Sequence, residues 1–404
     1  MVSRGRGHPR ALGARSDSSA IKNMKNEVRE KFIARFGREP SCIGCAPGRL
    51  EILGNHTDYN QGMVLSVAVD RYILFAAAPT KGTLCTLADA DFGEDKQFDI
   101  GNFGPHVKGD WSGYVKGMAL ALRKRGVEVP AFNAVLRGNV PLSAGMSSSA
   151  ALEMSVGLAL CSLAGKELPW LEMAKAGQEC ENTYIGANTG LLDQFSSLRG
   201  KADCLIYSDF RTLETSTIAM PAGYAFVVIN SMVKHFLTNE YNDRRVGCQK
   251  ALEHIAKRIP GVKALRDVSM AQLEECASGL DAVSYGCAKH VVGEIERVAA
   301  GIACLNSGDI ADFGQLMFQS HESSRLNFKN SCDELDEIVA LAKANPLCLG
   351  ARLSGGGFGG ISVHLVKAGD ANAYAQEIVE QYRRKTGATL QDIICVPSDG
   401  AALI

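Results

Sequence analysis

Apolar residues in segment 21–36 fall at helical intervals, with Ile21, Met24, Val28, Phe32 and Phe36 on one stripe and Gly37 closing the segment. This spacing predicts an amphipathic helix. Short runs rich in β-formers follow at 63–79, 83–88 and 132–140, and helical patterns at 112–125, 147–164 and 171–185. YAFVVINS at 224–231 reads as a near-continuous apolar strand, followed by a long helical stretch from Asn239 to Arg258. The last third repeats the mixture, with helices near 290–305, 333–344 and 371–384 and a strand at 361–366. Helices and strands mix without strict βαβ alternation, which predicts α+β domains, not a doubly wound sheet. At 404 residues the chain exceeds one ordinary core, so two domains sharing a cleft are expected. The composition changes near TSTIAMPA (215–222). That change divides the chain into domains 21–220 and 221–404. Residues 1–20 carry Arg4, Arg6, Arg10 and Arg15 with no acid before Asp17, and read as a disordered basic leader.

Lysine and arginine total 43 against 44 acidic residues, a net charge of −1. Such a chain has no global basic field to attract nucleic acid or an anionic membrane, so any anion must be bound locally. No run reaches the length of a membrane span. Thirteen cysteines, scattered and without an apolar signal segment ahead of them, suit reduced thiols in a cytoplasmic protein. Cys42 and Cys45 form a CxxC with no second pair at zinc spacing, and read as packing residues.

Four stretches are candidates for chemistry. GNHTDYNQG (54–62) sets Asn55, His56, Asp58, Tyr59, Asn60 and Gln61 between two glycines, either as a solvated turn or as polar groups converging on a polar ligand. PLSAGMSSSAALE (141–153) runs through small residues into a helix. Ser147, Ser148 and Ser149 stand where unpaired N–H groups and the positive dipole end must lie, a place that suits phosphate. One serine would suffice for a cap. SGGGFGG (354–360) contains a formal GxGxxG but precedes a strand, so the dinucleotide reading fails on context. A tight turn and a loop packed against phosphate or sugar remain open there. In ANTGLLDQFSSLRG (187–200), Asp193 lies among Leu191, Leu192 and Phe195 and therefore needs a cationic neighbour or a proton; Arg49 is the candidate partner.

Taken in order, APGRLEILGNHTDYNQG, VPLSAGMSSSAALE, LLDQF, VINSMVKHFLTNEYNDRR and LSGGGFGG resemble the motifs of the galactokinase family within the GHMP kinase superfamily, from about residue 21 to the C-terminus. The resemblance implies two α+β domains with the active site between them. The N-terminal one is ribosomal-protein-S5-like, built around a left-handed βαβ crossover, and the C-terminal one ferredoxin-like. It implies ATP and Mg2+, with Ala144, Gly145, Met146, Ser147, Ser148, Ser149, Gly356 and Gly357 around the nucleotide, Trp111 near adenine, and Ser149 and Glu153 at the metal. It makes Asp193 the group beside the anomeric hydroxyl, as a base or as an orienting acceptor, and Arg49 its ionic partner. Asn55, His56, Asp58, Gly190 and Tyr241 match the family's sugar-binding positions. The implied reaction is phosphorylation of galactose to α-galactose 1-phosphate by a monomer.

Besides the segment SHESSRLNFKNSCDELD (320–336), which departs from the common SLRDDY pattern between its matching ends and leaves Arg325 and Asn327 without assigned roles, two positions depart from the family pattern. The usual G-E-H-T-D-Y has Asn55 in place of glutamate, and the usual R-x-N has Glu51 in place of asparagine. A galacturonate or N-acetylgalactosamine kinase is therefore an alternative, although no new cation beside Asn55 offers to bind a uronate carboxylate. A non-catalytic galactose and ATP sensor is another, against which the intact Ser149-Ala150 and Asp193 speak. The HTDY stretch speaks against a mevalonate or homoserine kinase.

Overall fold

The computed structural model describes residues 16–90, 93, 95–141, 145–187, 189–233 and 238–404. Helix α1 (Ser16–Phe36) starts earlier than the periodicity suggested, so residues 16–20 are helical; residues 1–15 lie outside the described residues. The strands β1 (Cys42–Leu53), β2 (Met63–Pro79), β3 (Leu84–Asp89) and β4 (Asp95–Asp99) follow, then α2 (Ser112–Lys124), β5 (Phe132–Gly138), α3 (Ser148–Leu163), α4 (Trp170–Glu179), α5 (Leu192–Arg199), β6 (Cys204–Asp209) and β7 (Glu214–Ala219). These strands make an eight-stranded sheet in the order β12-β1-β2-β5-β3-β4, with β6 on β2 and β7 on β6; β12 is Ala402–Leu403, from the far end of the chain. β3 and β5 pair in parallel with α2 between them in sequence.

The second sheet, β11-β8-β10-β9, is built from β8 (Tyr224–Asn230), β9 (Cys348–Ser354), β10 (Ile361–Lys367) and β11 (Gln391–Cys395). Around it lie α6 (Thr238–Ala256), α7 (Met270–Glu275), α8 (Ala282–Ser307), α9 (Ile310–Ser323), α10 (Asp333–Ala344) and α11 (Ala371–Thr386). One face of this sheet packs Val227 and Ile229 against Ile338 of α10 and Tyr374 and Ile378 of α11. Phe226, Val228, Val363 and Leu365 on the other face join the core of the large sheet, so one apolar core runs through both sheets.

β2 shows why the sequence reads as a continuous apolar run. Tyr72, Leu74, Ala76 and Ala78 face Met24, Val28 and Phe32 of α1, while Ile73, Phe75 and Ala77 face the central core. Alternate positions of a strand point to opposite faces, and both faces here are covered. The 171–185 pattern is helical but not one α-helix: α4 passes at Cys180–Ile185 into a π-helical turn, closed by Gly186 with φ 87°. None of the thirteen cysteines is in a disulfide, and Cys45 packs under α1. No helix among the described residues is long and apolar enough to cross a membrane.

Candidate active site

β1 carries the first two functional side chains. Arg49 and Glu51 are two apart on a strand and so share a face, opposite the buried Leu50 and Ile52. Arg49, 6% exposed, reaches across to the first turn of α5: its Nε donates to Asp193 Oδ1 at 2.8 Å, its Nη2 lies 2.7 Å from the same oxygen, and its Nη1 donates to the Gly145 carbonyl at 2.6 Å. Asp193 Oδ2 accepts from the Ser147 hydroxyl. The pair expected from the cost of an isolated carboxylate is thus formed, with a second donor that sequence did not indicate.

On one side of Asp193 lies a cavity of about 370 Å³, lined by Arg49, Glu51, Asn55, His56, Asp58, Gly190, Tyr241 and Gly355 among others. The GNHTDYNQG segment forms one wall of it. His56 takes a left-handed conformation (φ 61°), with Nδ1 2.9 Å from the Tyr59 hydroxyl and its ring 5.2 Å from that of Tyr241. Burial, reinforced by nearby His290, pulls its pKa down to about 3, so the ring is neutral. Burial and then the neighbouring Glu51 push Asp58 up to about 6. At Gly190 an added Cβ would stand 2.1 Å from Asp58 Oδ2, so that carboxylate would have to move. Asn55 is 1% exposed and already engaged: Nδ2 donates to Glu51 Oε1 at 2.8 Å and to the Gly355 carbonyl at 2.9 Å, and Oδ1 accepts from Asn330 at 3.1 Å.

On the other side, a cavity of about 230 Å³ is bounded by Gly145, Met146, Ser147, Ser148 and Ser149 at the start of α3 and by Gly355, Gly356, Gly357, Gly359 and Gly360 of the β9–β10 turn. Ser147 precedes α3 in a left-handed conformation and makes no capping hydrogen bond with its side chain. Its hydroxyl turns to Asp193 instead, leaving the first N–H groups of the helix without a side-chain cap, where an anion is favoured. The glycine loop is both a strand turn and a cavity wall. Gly357 (φ 83°) leaves no room for a side chain, since a Cβ would meet the Asn330 carbonyl at 2.0 Å. Ala144 lies outside the described residues.

Behind Asp193 lies a buried acidic pair. Glu153 is 0% exposed; its Oε2 accepts from Gln194 at 2.9 Å and its Oε1 is buried with no partner. Glu181, which the sequence reading did not single out, accepts from Thr189 at 2.5 Å and Gln194 at 3.2 Å and has the Ser149 hydroxyl beside it. Burial pushes both carboxyls up, and in Glu153 the charge of Glu181 adds to it. An unpartnered carboxylate oxygen beside a second carboxylate and a hydroxyl is an oxygen donor set of the kind a hard divalent cation takes. Among the described residues no group of three or more His, Cys, Asp or Glu forms a metal cluster, so such a cation would draw its remaining ligands from phosphate or water. Trp111, at the start of α2, packs half-buried against the core and lines neither cavity.

Family models match in chain order: the galactokinase galactose-binding signature over residues 30–79, the GHMP kinases N terminal domain over 113–201 and the GHMP kinases C terminal over 302–384. Galactokinase of Chloroflexus aggregans is 36% identical over 374 residues, 92% of this chain and 96% of that protein. The chain belongs to the galactokinase family. Another member, from Roseiflexus sp. strain RS-1, is 36% identical over 94% of this chain and 97% of its own length. Among solved structures, Lactococcus lactis galactokinase complexed with galactose matches with a TM-score of 0.86 at 29% identity, over 95% of this chain and 99% of that one. Mevalonate kinase, at 18% identity and a TM-score of 0.61, shares the fold. The chain is thus a kinase of the GHMP fold, with the N- and C-terminal domains of that superfamily.

Asn330 and Arg352 also escaped the sequence reading, although both build the wall behind Asn55 in this galactokinase-family chain. Asn330 sits beyond α9 in the segment that departs from the common family pattern, and no local pattern marks it. Arg352 is 0% exposed within an otherwise apolar strand, and a charged residue so placed was the available signal.

Proposed function

We propose that the protein transfers the γ-phosphoryl group of ATP to the anomeric hydroxyl of galactose, giving α-galactose 1-phosphate and ADP. The observation that carries this reading is the Arg49–Asp193–Ser147 group, standing where a cavity lined by hydroxyl-matching polar groups adjoins a glycine- and serine-lined cleft. Galactose takes the larger cavity, with His56, Asp58, Gly190 and Tyr241 around it. The ATP phosphates take the cleft of Gly145–Ser149 and Gly356–Gly357, with adenine directed toward Trp111.

Asp193 accepts the anomeric O–H hydrogen bond and receives its proton as the O1–Pγ bond forms and the bond from Pγ to the β,γ-bridging oxygen breaks. Arg49 offsets the charge that collects on the transferring group and on Asp193. Ser147 holds the second oxygen of Asp193, fixing the direction of its first. Groups of this kind each supply roughly 10²–10⁴-fold in rate. A Mg2+ ion, when bound by Ser149 with Glu153 and Glu181, supplies charge neutralisation of the nucleotide phosphates. The domains 21–220 and 221–404 each contribute part of the site.

The test is ADP release from the purified protein with Mg-ATP against galactose, N-acetylgalactosamine, galacturonate, glucose and arabinose. Rapid turnover with galactose is expected. Galactose binding without turnover would make the chain a sensor, and preference for another sugar would reassign the substrate.

A further inference from the structure

The two departures from the family pattern touch each other. Asn55 Nδ2 donates to Glu51 Oε1 at 2.8 Å, so the amide and the carboxylate have changed places across one hydrogen bond. Relative to the family pattern, the carboxyl group stands at position 51 and the amide at position 55. There it faces Arg352, which is 0% exposed, with Nη1 3.4 Å from Glu51 Oε1. Asn55 has little left for a ligand, because both amide hydrogens go to protein acceptors and Asn330 donates to its oxygen. Glu51 differs. Its Oε1 takes Asn55 and Arg352, its Oε2 has no hydrogen-bond partner among the described residues, and the side chain lines the sugar cavity beside Arg49.

We propose that Glu51 is the specificity-determining residue on this wall, its free oxygen accepting a hydrogen bond from a sugar hydroxyl, with Asn55, Asn330 and Arg352 as positioning residues. This rests on the galactose kinase reading and deepens it. A carboxylate acceptor matches a neutral sugar whose hydroxyl can donate, and it repels a sugar carboxylate, the more so with Asp58 and Asp193 on the same cavity. The exchange therefore keeps the cavity selective for neutral hexoses over uronic acids. A second carboxylate at 55 would stand against Glu51, with Glu294 already accepting the backbone N–H groups of Gly54 and Asn55 at 2.8 and 2.9 Å.

The experiment is steady-state kinetics of the full chain with galactose and with galacturonate. The wild type is expected to favour galactose by about 100-fold or more in kcat/KM. Glu51→Gln is expected to raise the galactose KM about tenfold or more at unchanged ATP KM and to narrow the galactose-to-galacturonate ratio. Asn55→Glu is expected to lose most galactose binding, and Glu51→Asn/Asn55→Glu to recover about tenfold over it, since contacting residues couple. If Glu51→Gln does not fold, Glu51→Asp keeps the charge opposite Arg352 and must still raise the galactose KM. A galactose KM within about twofold of wild type in the folded variant, or an unchanged sugar ratio, overturns the inference while leaving the galactose reading intact. A wild type that uses galacturonate as well as galactose overturns it too. A wild type that turns over neither sugar removes the reading on which the inference rests.

Discussion

The Ser147 hydroxyl donates to Asp193 Oδ2 while Arg49 holds Oδ1, so the residue before α3 and a residue of β1 are joined through one carboxylate. Ser147→Ala is therefore expected to lower kcat by about tenfold with little loss of stability, because no helix cap is removed; a lost cap would cost about 1 kcal/mol. Asp193→Ala is expected to lower kcat by about 10²–10⁴-fold while ATP binding persists. Rates, ATP titrations and thermal melts of the two variants check this, and a near-normal rate for Asp193→Ala removes it from the mechanism.

Gly190 stands against Asp58 with no space for a methyl group. Gly190→Ala must displace the Asp58 carboxylate, at a cost of about 1–3 kcal/mol in stability. The galactose KM should rise more than the ATP KM, and kinetics with each substrate varied in turn separates the two.

Asp58 titrates near 6 in the folded protein against an ordinary 3.8. A carboxyl raised in this way favours the fold in its protonated form. Its contribution is complete below about pH 4 and is lost as pH rises through about 6, a change on the order of 1–3 kcal/mol. Asp58→Asn should accordingly raise the melting temperature relative to wild type at pH 7.5 and converge with it near pH 4. If, as proposed, the ionised Asp58 carboxylate accepts from galactose, the galactose KM of the wild type should climb as pH falls below about 6. His56, neutral down to about pH 3, does not contribute to that change.

Glu181, in contact with Ser149, is the carboxylate expected to govern the response to Mg2+. Glu181→Gln should raise the half-saturating Mg2+ concentration by about 10–100-fold, and Glu153→Gln, whose side chain is 0% exposed against 4% for Glu181, by less. Mg2+ titrations of ATP turnover at fixed galactose measure both, and equal responses would remove the distinction.

Trp111 is one of two tryptophans; the other, Trp170, stacks edge-on against Phe195 at 5.0 Å. If adenine approaches Trp111, ATP should quench emission in the wild type and in Trp170→Phe, and not in Trp111→Phe. Quenching that survives in Trp111→Phe places the base elsewhere.

Much of this protein is decided locally and can be read from its sequence. The strands at 63–79, 224–230 and 361–367 and the helices at 112–124, 148–163 and 333–344 follow from apolar spacing, which reports burial directly. The small-residue turn before α3 and the glycine loop are legible because small residues leave a backbone signature. The residues around Asn55 are not. β1 hides its strand character because Arg49 and Glu51 interrupt the apolar run, and they are tolerated only because Asp193 and Arg352 meet them. The apolar flanks of Asp193 predict its pairing with Arg49, whereas Arg352 comes from 301 positions away and is brought to Glu51 by the packing of two sheets on one core. A buried charge is stabilised by whatever the fold sets opposite it, and that partner has no local pattern to announce it. The sequence determined which groups could do chemistry, and tertiary structure decided which partners hold each of them, because a buried polar group is positioned by whatever the fold sets against it.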